Sequence, residues 1–315
     1  MMVRERPLVS AIIIFLNAAR FLEEAIQSVL GQEYAHWELL LVDDGSTDGS
    51  SVLALDYARR YPGKIRYLEH EGHQNRGMSA SRNLGLRDAR GVYVGFLDAD
   101  DIWLPHKLAE QVELLESLPQ AAMVYGRTLI WYSWTGEPEL SSRDFFFDLG
   151  VEPNTLLAPP HLLVLLLQNK VQTPTTCNAL IRREVFSQVG MFEERFRGMY
   201  EDQVFFAKVE LASYVFVAGE CWARYRQHAG NWSAQNESQQ SYYAARLRFL
   251  LWLKQYLSEQ ETQPPEVWRA LLRELRTARH PRLRRLVARA QRAPQKVRSR
   301  LGAIGQRWLR AWRAT

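Results

Sequence analysis

Val92-Tyr93-Val94-Gly95-Phe96-Leu97-Asp98-Ala99-Asp100-Asp101 is an uncharged run that ends in acid. A stretch with no polar alternation suits a strand covered on both faces, at the centre of a parallel sheet. Its carboxylates then fall just beyond the carboxyl end of the strand, where open α/β sheets bind their ligands. A second stretch has the same form, with Leu39-Leu40-Leu41-Val42 leading into Asp43-Asp44-Gly45-Ser46. Acid at the ends of two parallel strands can meet in one cleft, and such a concentration suits a cation, a sugar diphosphate, or both.

Working outward, strands and helices alternate through the first hundred residues. Leu8 to Leu16 reads as a first strand. A helix follows, with Phe21, Leu22, Ala25, Ile26, Val29 and Leu30 at helical spacing. Glu38 to Val42 is the second strand, and Ser46 and Asp48 are candidate caps for the helix carrying Val52, Leu53, Leu55 and Ala58. Lys64 to Leu68 is a third strand, Ser79 to Arg90 a helix, and Val92 to Leu97 the fourth strand. A helix over Pro105 to Ser117 and a strand over Ala121 to Tyr125 come next. An irregular aromatic stretch then runs through Trp131, Tyr132, Trp134, Phe145, Phe146 and Phe147, before a helix-like segment at Leu162 to Leu167. Mixed structure returns over Gln172 to Arg226. Two helices are expected after Gln239, at Tyr242 to Leu257 and from Glu266 to about His280, where Pro281 stops the second. The pattern is that of an α/β sheet domain followed by a helical region.

Composition narrows the class. The apolar fraction of 47% is that of a globular protein. Cys177 and Cys221 offer neither zinc spacing nor a disulfide framework, which points to a reducing compartment. Neither Leu8 to Leu16 nor Leu162 to Leu167 is long enough to span a bilayer, and the amino terminus lacks a signal peptide's cleavage pattern. The net charge of +5 conceals an asymmetry: residues 270–315 carry +13 and the preceding residues −8.

The residues able to do chemistry follow from this layout. Asp98, Asp100 and Asp101 lie on a bend after a strand, and oxygen ligands at such spacing suit Mg²⁺ or Mn²⁺. The same acids also read as a strand end that caps the helix near Pro105. Asp43 and Asp44 suit a nucleoside, since a carboxylate accepts from a ring N–H or from ribose hydroxyls. Equally, Asp-Asp-Gly-Ser is an ordinary turn into a helix. Arg76 and Arg82 flank a helix start that favours an anion, against the alternative of a solvated helix terminus. Glu201-Asp202 precedes a buried helical stretch. A carboxylate there can deprotonate an incoming hydroxyl, or simply cap the helix. His228 is a candidate metal or phosphate contact, although a lone histidine is more often structural. Neither a P-loop nor a G-x-G-x-x-G fingerprint is present.

Taken in order, these pieces resemble the inverting glycosyltransferases of family 2. They are Val42 to Asp48; Asn75-Arg76-Gly77 with Ser81-Arg82-Asn83-Leu84-Gly85; Phe96 to Asp101; Val189-Gly190-Met191-Phe192 ahead of Glu201-Asp202; and Tyr225-Arg226-Gln227-His228. Met191 departs from the second glycine many relatives carry. The resemblance implies a GT-A fold, that is, a Rossmann-like mixed central sheet flanked by helices and followed by a helical C-terminal region. Its implied domains are a transferase domain at 1–235 and an extension at 236–315. It implies that Asp43, Asp44, Arg76, Arg82 and Asp98 bind the nucleotide, that Asp98, Asp100 and His228 hold Mg²⁺ or Mn²⁺, and that Asp202 is the catalytic base. The implied reaction moves a sugar from a nucleotide-sugar donor, UDP-linked, to a saccharide or lipid-linked acceptor with inversion, in cell-envelope, polysaccharide or glycolipid synthesis.

The basic tail, with Arg282, Arg284, Arg285, Arg289 and Arg292 interleaved with Leu283, Leu286 and Val287, and with Trp308 and Trp312 further on, suits an anionic membrane surface. It also suits packing back on the acidic body; no motif for specific nucleic-acid recognition accompanies it. The expected location is cytoplasmic, peripheral on the inner face of the cell membrane. The rival reading is a metal-dependent nucleotidyltransferase. That would favour a Gly-rich, Lys- or Arg-bearing loop after the first strand, where this chain has Phe15-Leu16-Asn17-Ala18-Ala19-Arg20.

Overall fold

Four parallel strands carry both acidic clusters: β1 (Val9–Phe15), β2 (Trp37–Asp43), β3 (Ile65–Glu69) and β4 (Tyr93–Asp98). They pair in the order β3-β2-β1-β4 and are joined by helices α1 (Leu22–Leu30), α2 (Ser50–Arg60) and α3 (Met78–Asp88). Every residue of β1 and β2 is buried, as in strands covered on both sides. Full burial of each aliphatic side chain is worth roughly 1.5–3 kcal/mol, so Ile12, Ile13, Leu39, Leu40 and Leu41, all inaccessible to solvent, fix the register. Helix α3 lies close on this sheet because Gly85 has no side chain; a Cβ there would stand 2.6 Å from Ile12 Cγ2.

The computed structural model describes residues 6–231, 239–260 and 264–279. It divides into two units, residues 1–238 and 239–315. In the first unit β4 is followed by β5 (Ile102–Trp103), α4 (Lys107–Ser117), β6 (Ala121–Trp131), β7 (Phe145–Phe146), β8 (Thr155–Leu157) and α5 (His161–Leu167). The unit continues with β9 (Leu180–Arg182), α6 (Arg183–Val189), α7 (Glu201–Ala212) and β10 (Tyr214–Arg226). All ten strands among the described residues form one sheet, β3-β2-β1-β4-β9-β6-β10-β5, with β7 added to β6 and β8 to β10. Strand β9 runs antiparallel to both β4 and β6, while β6 and β10 are parallel, so the sheet is mixed.

Several local differences from expectation have clear causes. Strand β6 continues to Trp131 because β10 pairs with it as far as Arg226. Register shifts between Val217 and Cys221 and between Cys221 and Ala223 break the alternation that would reveal β10 as one strand. Pro105 precedes α4 rather than opening it: its carbonyl accepts from Glu33 N at 2.9 Å, beside Leu104 N donating to Trp222 O. Ser46 does not cap α2, since its Oγ accepts from Asn17 N at 3.0 Å, whereas Asp48 does accept from Ser50 N at 2.9 Å.

Among its described residues the second unit contributes two helices, α8 (Gln239–Ser258) and α9 (Pro265–Arg279), with ends within a few residues of those expected. Phe249, Leu253 and Leu257 of α8 and Val267, Leu271 and Leu275 of α9 are buried, and Arg246 pairs with Glu274 at 2.8 Å. Among the described residues no helix is long and apolar enough to cross a membrane. Pro281 and the basic tail lie outside the described residues.

Candidate active site

The bend after β4 closes with Asp101 N donating to Asp98 O at 3.0 Å, and it puts its three acids in three different environments. Asp98 accepts from Arg82 Nη2 at 2.9 Å on Oδ1 and from Thr176 Oγ1 at 3.1 Å on Oδ2. Asp100 is half-buried, and its Oδ2 lies 3.1 Å from His228 Nε2 and 3.3 Å from Asn231 Nδ2. Asp101 is inaccessible, and its Oδ1 accepts from Arg226 N at 2.9 Å. Burial, with Asp100 and Asp98 nearby, pushes the Asp101 carboxyl well above its ordinary range. Asp101 is thus tied into the protein interior, while Asp98 and Asp100 stay partly open to solvent.

Glu201 and Asp202 open helix α7 directly after two unusual backbone positions, Gly198 at φ +112° and Tyr200 at φ +74°. A buried tyrosine held with positive φ marks strain that the surroundings must enforce. Helix α3 supplies that enforcement. Ser79 Oγ donates to Phe196 O at 3.1 Å, and Asn83 exchanges two hydrogen bonds of 2.9 Å with the Phe192 backbone. Arg82, only 1% exposed, spans the gap, one fork nitrogen on Glu201 and the other on Asp98. The polar cluster at the start of α3 is thus a strut joining the acid pair to the end of β4. Arg82, expected at the nucleotide, instead has both terminal nitrogens engaged by carboxylates.

Electrostatics follow from this arrangement. Burial pushes Glu201 up to about 7, with Arg82 pulling the other way, and its Oε2 has no partner among the described residues. Asp202 is half-buried at the second position of α7. Its carboxyl too is raised by desolvation, opposed by Arg82, and Asp98 adds to the rise. Arg82 stays charged, held so by Glu201 and Asp98. Asp202 and Asp98 thus lie within electrostatic reach of one arginine, although the sequence separates them by a hundred residues.

The β2 cluster is built differently. Asp43 Oδ1 accepts from Gly45 N at 3.1 Å and Ser46 N at 2.8 Å, while Oδ2 takes the hydroxyls of Ser51 and Tyr67. Asp44 accepts from Arg76 N at 2.7 Å and from Gly77 N at 3.0 Å. Gly45, at φ +87°, brings the two loops together: a Cβ there would stand 2.8 Å from His73 O and 2.9 Å from Asn75 N. Both carboxylates are therefore engaged by the protein's own donors, and they shape the loop bearing Arg76, whose side chain is exposed.

The expected ligand trio of Asp98, Asp100 and His228 is not assembled as a set: among the described residues no three His, Cys, Asp or Glu side chains are grouped to hold a metal. Asp98 is drawn towards Arg82 and Thr176, leaving Asp100 and His228 as the adjoining pair. Such a pair suits Mg²⁺ or Mn²⁺, which bind through one or two protein ligands and complete their shell with substrate phosphates and water. Thr176, Asn231 and the Glu201 tie were not foreseen. Thr176 lies in a stretch with no periodicity or motif, and nothing in the sequence alone marks it.

The Glycosyl transferase family 2 model matches residues 10–190. An uncharacterised glycosyltransferase of Rickettsia bellii is 31% identical over 67% of this chain and 28% of its own length. The putative teichuronic acid biosynthesis glycosyltransferase TuaG of Bacillus subtilis is 41% identical over 35% of this chain and 42% of its own length. The chain spans 28% to 61% of the length of the Rickettsia relatives that it matches. Among solved structures, S. aureus TarS 1-349 in complex with UDP-GlcNAc aligns with a TM-score of 0.63 at 17% identity, covering 91% of this chain and 76% of that one. The Pyrobaculum calidifontis mannosyltransferase PcManGT, solved with GDP-Man and Mn2+, aligns at 0.54 and 20% identity, covering 98% and 84%. These alignments are likenesses of fold, and the family model covers both acidic clusters, Arg82 and more than half of the sequence: the chain belongs to glycosyl transferase family 2.

Proposed function

We propose that this protein transfers a sugar, with inversion, from a UDP-linked donor to a hydroxyl of a saccharide or lipid-linked acceptor in cell-envelope, polysaccharide or glycolipid synthesis. The observation that carries the reading is the Asp98–Arg82–Glu201 tie, which brings the acidic bend after β4 and the acid pair of α7 to one place. Solved relatives bearing UDP-GlcNAc and GDP-Man support a nucleotide-sugar donor. The nucleoside lies over the turns organised by Asp43 and Asp44, with Arg76 as the exposed cation there. Asp98 faces the donor, and Asp100 with His228 would hold Mg²⁺ or Mn²⁺. When bound, the cation offsets the charge that develops on the departing diphosphate.

Asp202 is the base. Burial raises its proton affinity, which favours proton transfer from a hydroxyl in the transition state. Arg82 opposes that rise. The acceptor oxygen, losing its proton to Asp202, attacks the anomeric carbon on the side opposite the diphosphate. One displacement inverts that centre. Glu201 does not act as a second base, since one oxygen is held by Arg82 and the residue is 5% exposed.

A thermal-shift panel of UDP- and GDP-sugars with and without Mn²⁺ tests this assignment. It expects a metal-dependent shift with a UDP-sugar that Asp100→Ala abolishes. A shift with nucleoside triphosphates alone would instead favour the nucleotidyltransferase reading. We place the enzyme in the cytoplasm, at the inner membrane face through its basic tail. Liposome sedimentation unchanged by removal of residues 270–315 would refute the membrane contact.

A further inference from the structure

We infer that Arg226 is the positioning residue for Asp100 and His228, and that an aromatic cage allows it to act from inside the protein. The inference rests on the donor-site reading above. Arg226 ends β10, opposite Trp131 at the end of β6, and is 1% exposed. Its Nε donates to the Asp100 carbonyl at 2.7 Å, its backbone N to Asp101 Oδ1 at 2.9 Å, and its Nη2 to Glu24 Oε2 at 2.7 Å. Its own carbonyl accepts from Asn231 Nδ2 at 2.8 Å, the same amide that lies 3.3 Å from Asp100 Oδ2. One residue therefore fixes the backbone of the bend on one side and the amide contacting its carboxylate on the other.

A buried guanidinium with few carboxylate partners needs another source of stabilisation. Three rings supply it: Trp131 at 4.7 Å, Phe21 at 4.8 Å and Trp134 at 5.2 Å from the guanidinium carbon. Desolvated cation–π contacts of this kind are the stronger ones. Two of these rings flank the proposed ligand histidine, with His228 4.6 Å from Phe21 and 6.4 Å from Trp134 between ring centres. Trp134 Nε1 also donates to Gln227 O at 2.8 Å, pinning the chain just before His228. The cage thus sets the carboxylate and the imidazole together, from the residue before α1, the end of β6, the turn after it, and the end of β10. Lysine cannot replace this arginine, because a compact ammonium offers neither the fork nor a plane to stack.

The test compares Arg226→Lys, Glu24→Gln and Trp134→Leu with wild type, with three readouts: Mn²⁺ affinity with UDP present, from the electron paramagnetic resonance of free Mn²⁺; UDP affinity in EDTA, by calorimetry; and urea unfolding. Partners that orient metal ligands change metal affinity by about ten- to a hundredfold. Arg226→Lys is expected to weaken Mn²⁺ binding by that much, and the other two by severalfold, with UDP affinity in EDTA within twofold of wild type. Should Arg226→Lys fail to fold, Glu24→Gln and Trp134→Leu decide the matter. Unchanged Mn²⁺ affinity in folded variants, or an equal loss of UDP affinity in EDTA, overturns the inference. Wild type that binds UDP but no Mn²⁺ overturns it too, along with the metal assignment, while leaving the nucleotide site standing.

Discussion

Arg82→Met removes the cation that Asp98 and Glu201 both contact, and its cost can be worked from the structure. Each pKa unit is worth ~1.4 kcal/mol. The rise of Glu201 from 4.5 to about 7 therefore weighs ~3 kcal/mol against its ionised form even with Arg82 in place. The folded protein binds this proton more tightly than the unfolded chain. Stability accordingly falls as pH climbs from about 4.5 to 7, and levels off above. Without Arg82 the carboxyl stays protonated past pH 8, so the fall continues and adds ~1.5 kcal/mol by that pH. Asp98, partly open to solvent, loses a charge-assisted hydrogen bond worth ~1.5–3 kcal/mol at most. The total of ~3–5 kcal/mol at pH 8 matches the usual cost of breaking a buried ion pair. At pH 5, where Glu201 is protonated with or without Arg82, the deficit shrinks by ~1.5 kcal/mol. Urea unfolding at pH 5, 7 and 8 measures this directly. A deficit equal at pH 5 and pH 8, or below ~1 kcal/mol throughout, would refute the coupling between Arg82 and Glu201.

Asp202→Asn should lower transfer by at least ~100-fold with donor affinity by calorimetry unchanged; a purified variant that retains turnover removes Asp202 as base. Gly45→Ala forces a side chain into φ +87° and to within 2.8 Å of His73 O, so it should cost ~2 kcal/mol or more and weaken nucleotide binding, read by thermal melting and calorimetry. Burial lowers the Lys107 ammonium from 10.5 to about 7. The folded protein therefore holds that proton less tightly than the unfolded chain, and stability should rise with pH across that window. Lys107→Met should flatten the rise in urea melts taken between pH 7 and 10.

The part of the fold legible in the sequence is the part where one element buries one uninterrupted apolar face. Strands β1, β2 and β4 announce themselves because Ile12-Ile13-Ile14, Leu39-Leu40-Leu41 and Phe96-Leu97 have no polar alternative to interrupt them. Strand β10 stays hidden because its bulges shift the register midway, so inward and outward residues exchange places. In the site, Asp98, Asp100 and the Glu201-Asp202 pair could be picked out by position relative to strands and helices. What could not be read is how they are divided. Arg82 looks like a phosphate ligand in one dimension, and only the approach of α3 to α7 shows that its fork is occupied by two carboxylates. Asp43 likewise looks free until Ser51 and Tyr67, eight and twenty-four residues on, are seen to donate to it.

The family match ends at residue 190, yet Asp100 and Asp101 of the acidic bend take partners from Arg226, His228 and Asn231, 125 to 131 residues downstream. During synthesis the bend therefore leaves the ribosome long before the groups that anchor it exist, and Asp101 meets water rather than Arg226. Contacts of such separation form late, because the loop between them must be closed first. A fragment cut at the family boundary would hold every strand-end acid and still lack the means to aim Asp100. The shortest chain expected to bind metal runs past Asn231, because the groups that contact Asp100 follow the sheet's last long strand.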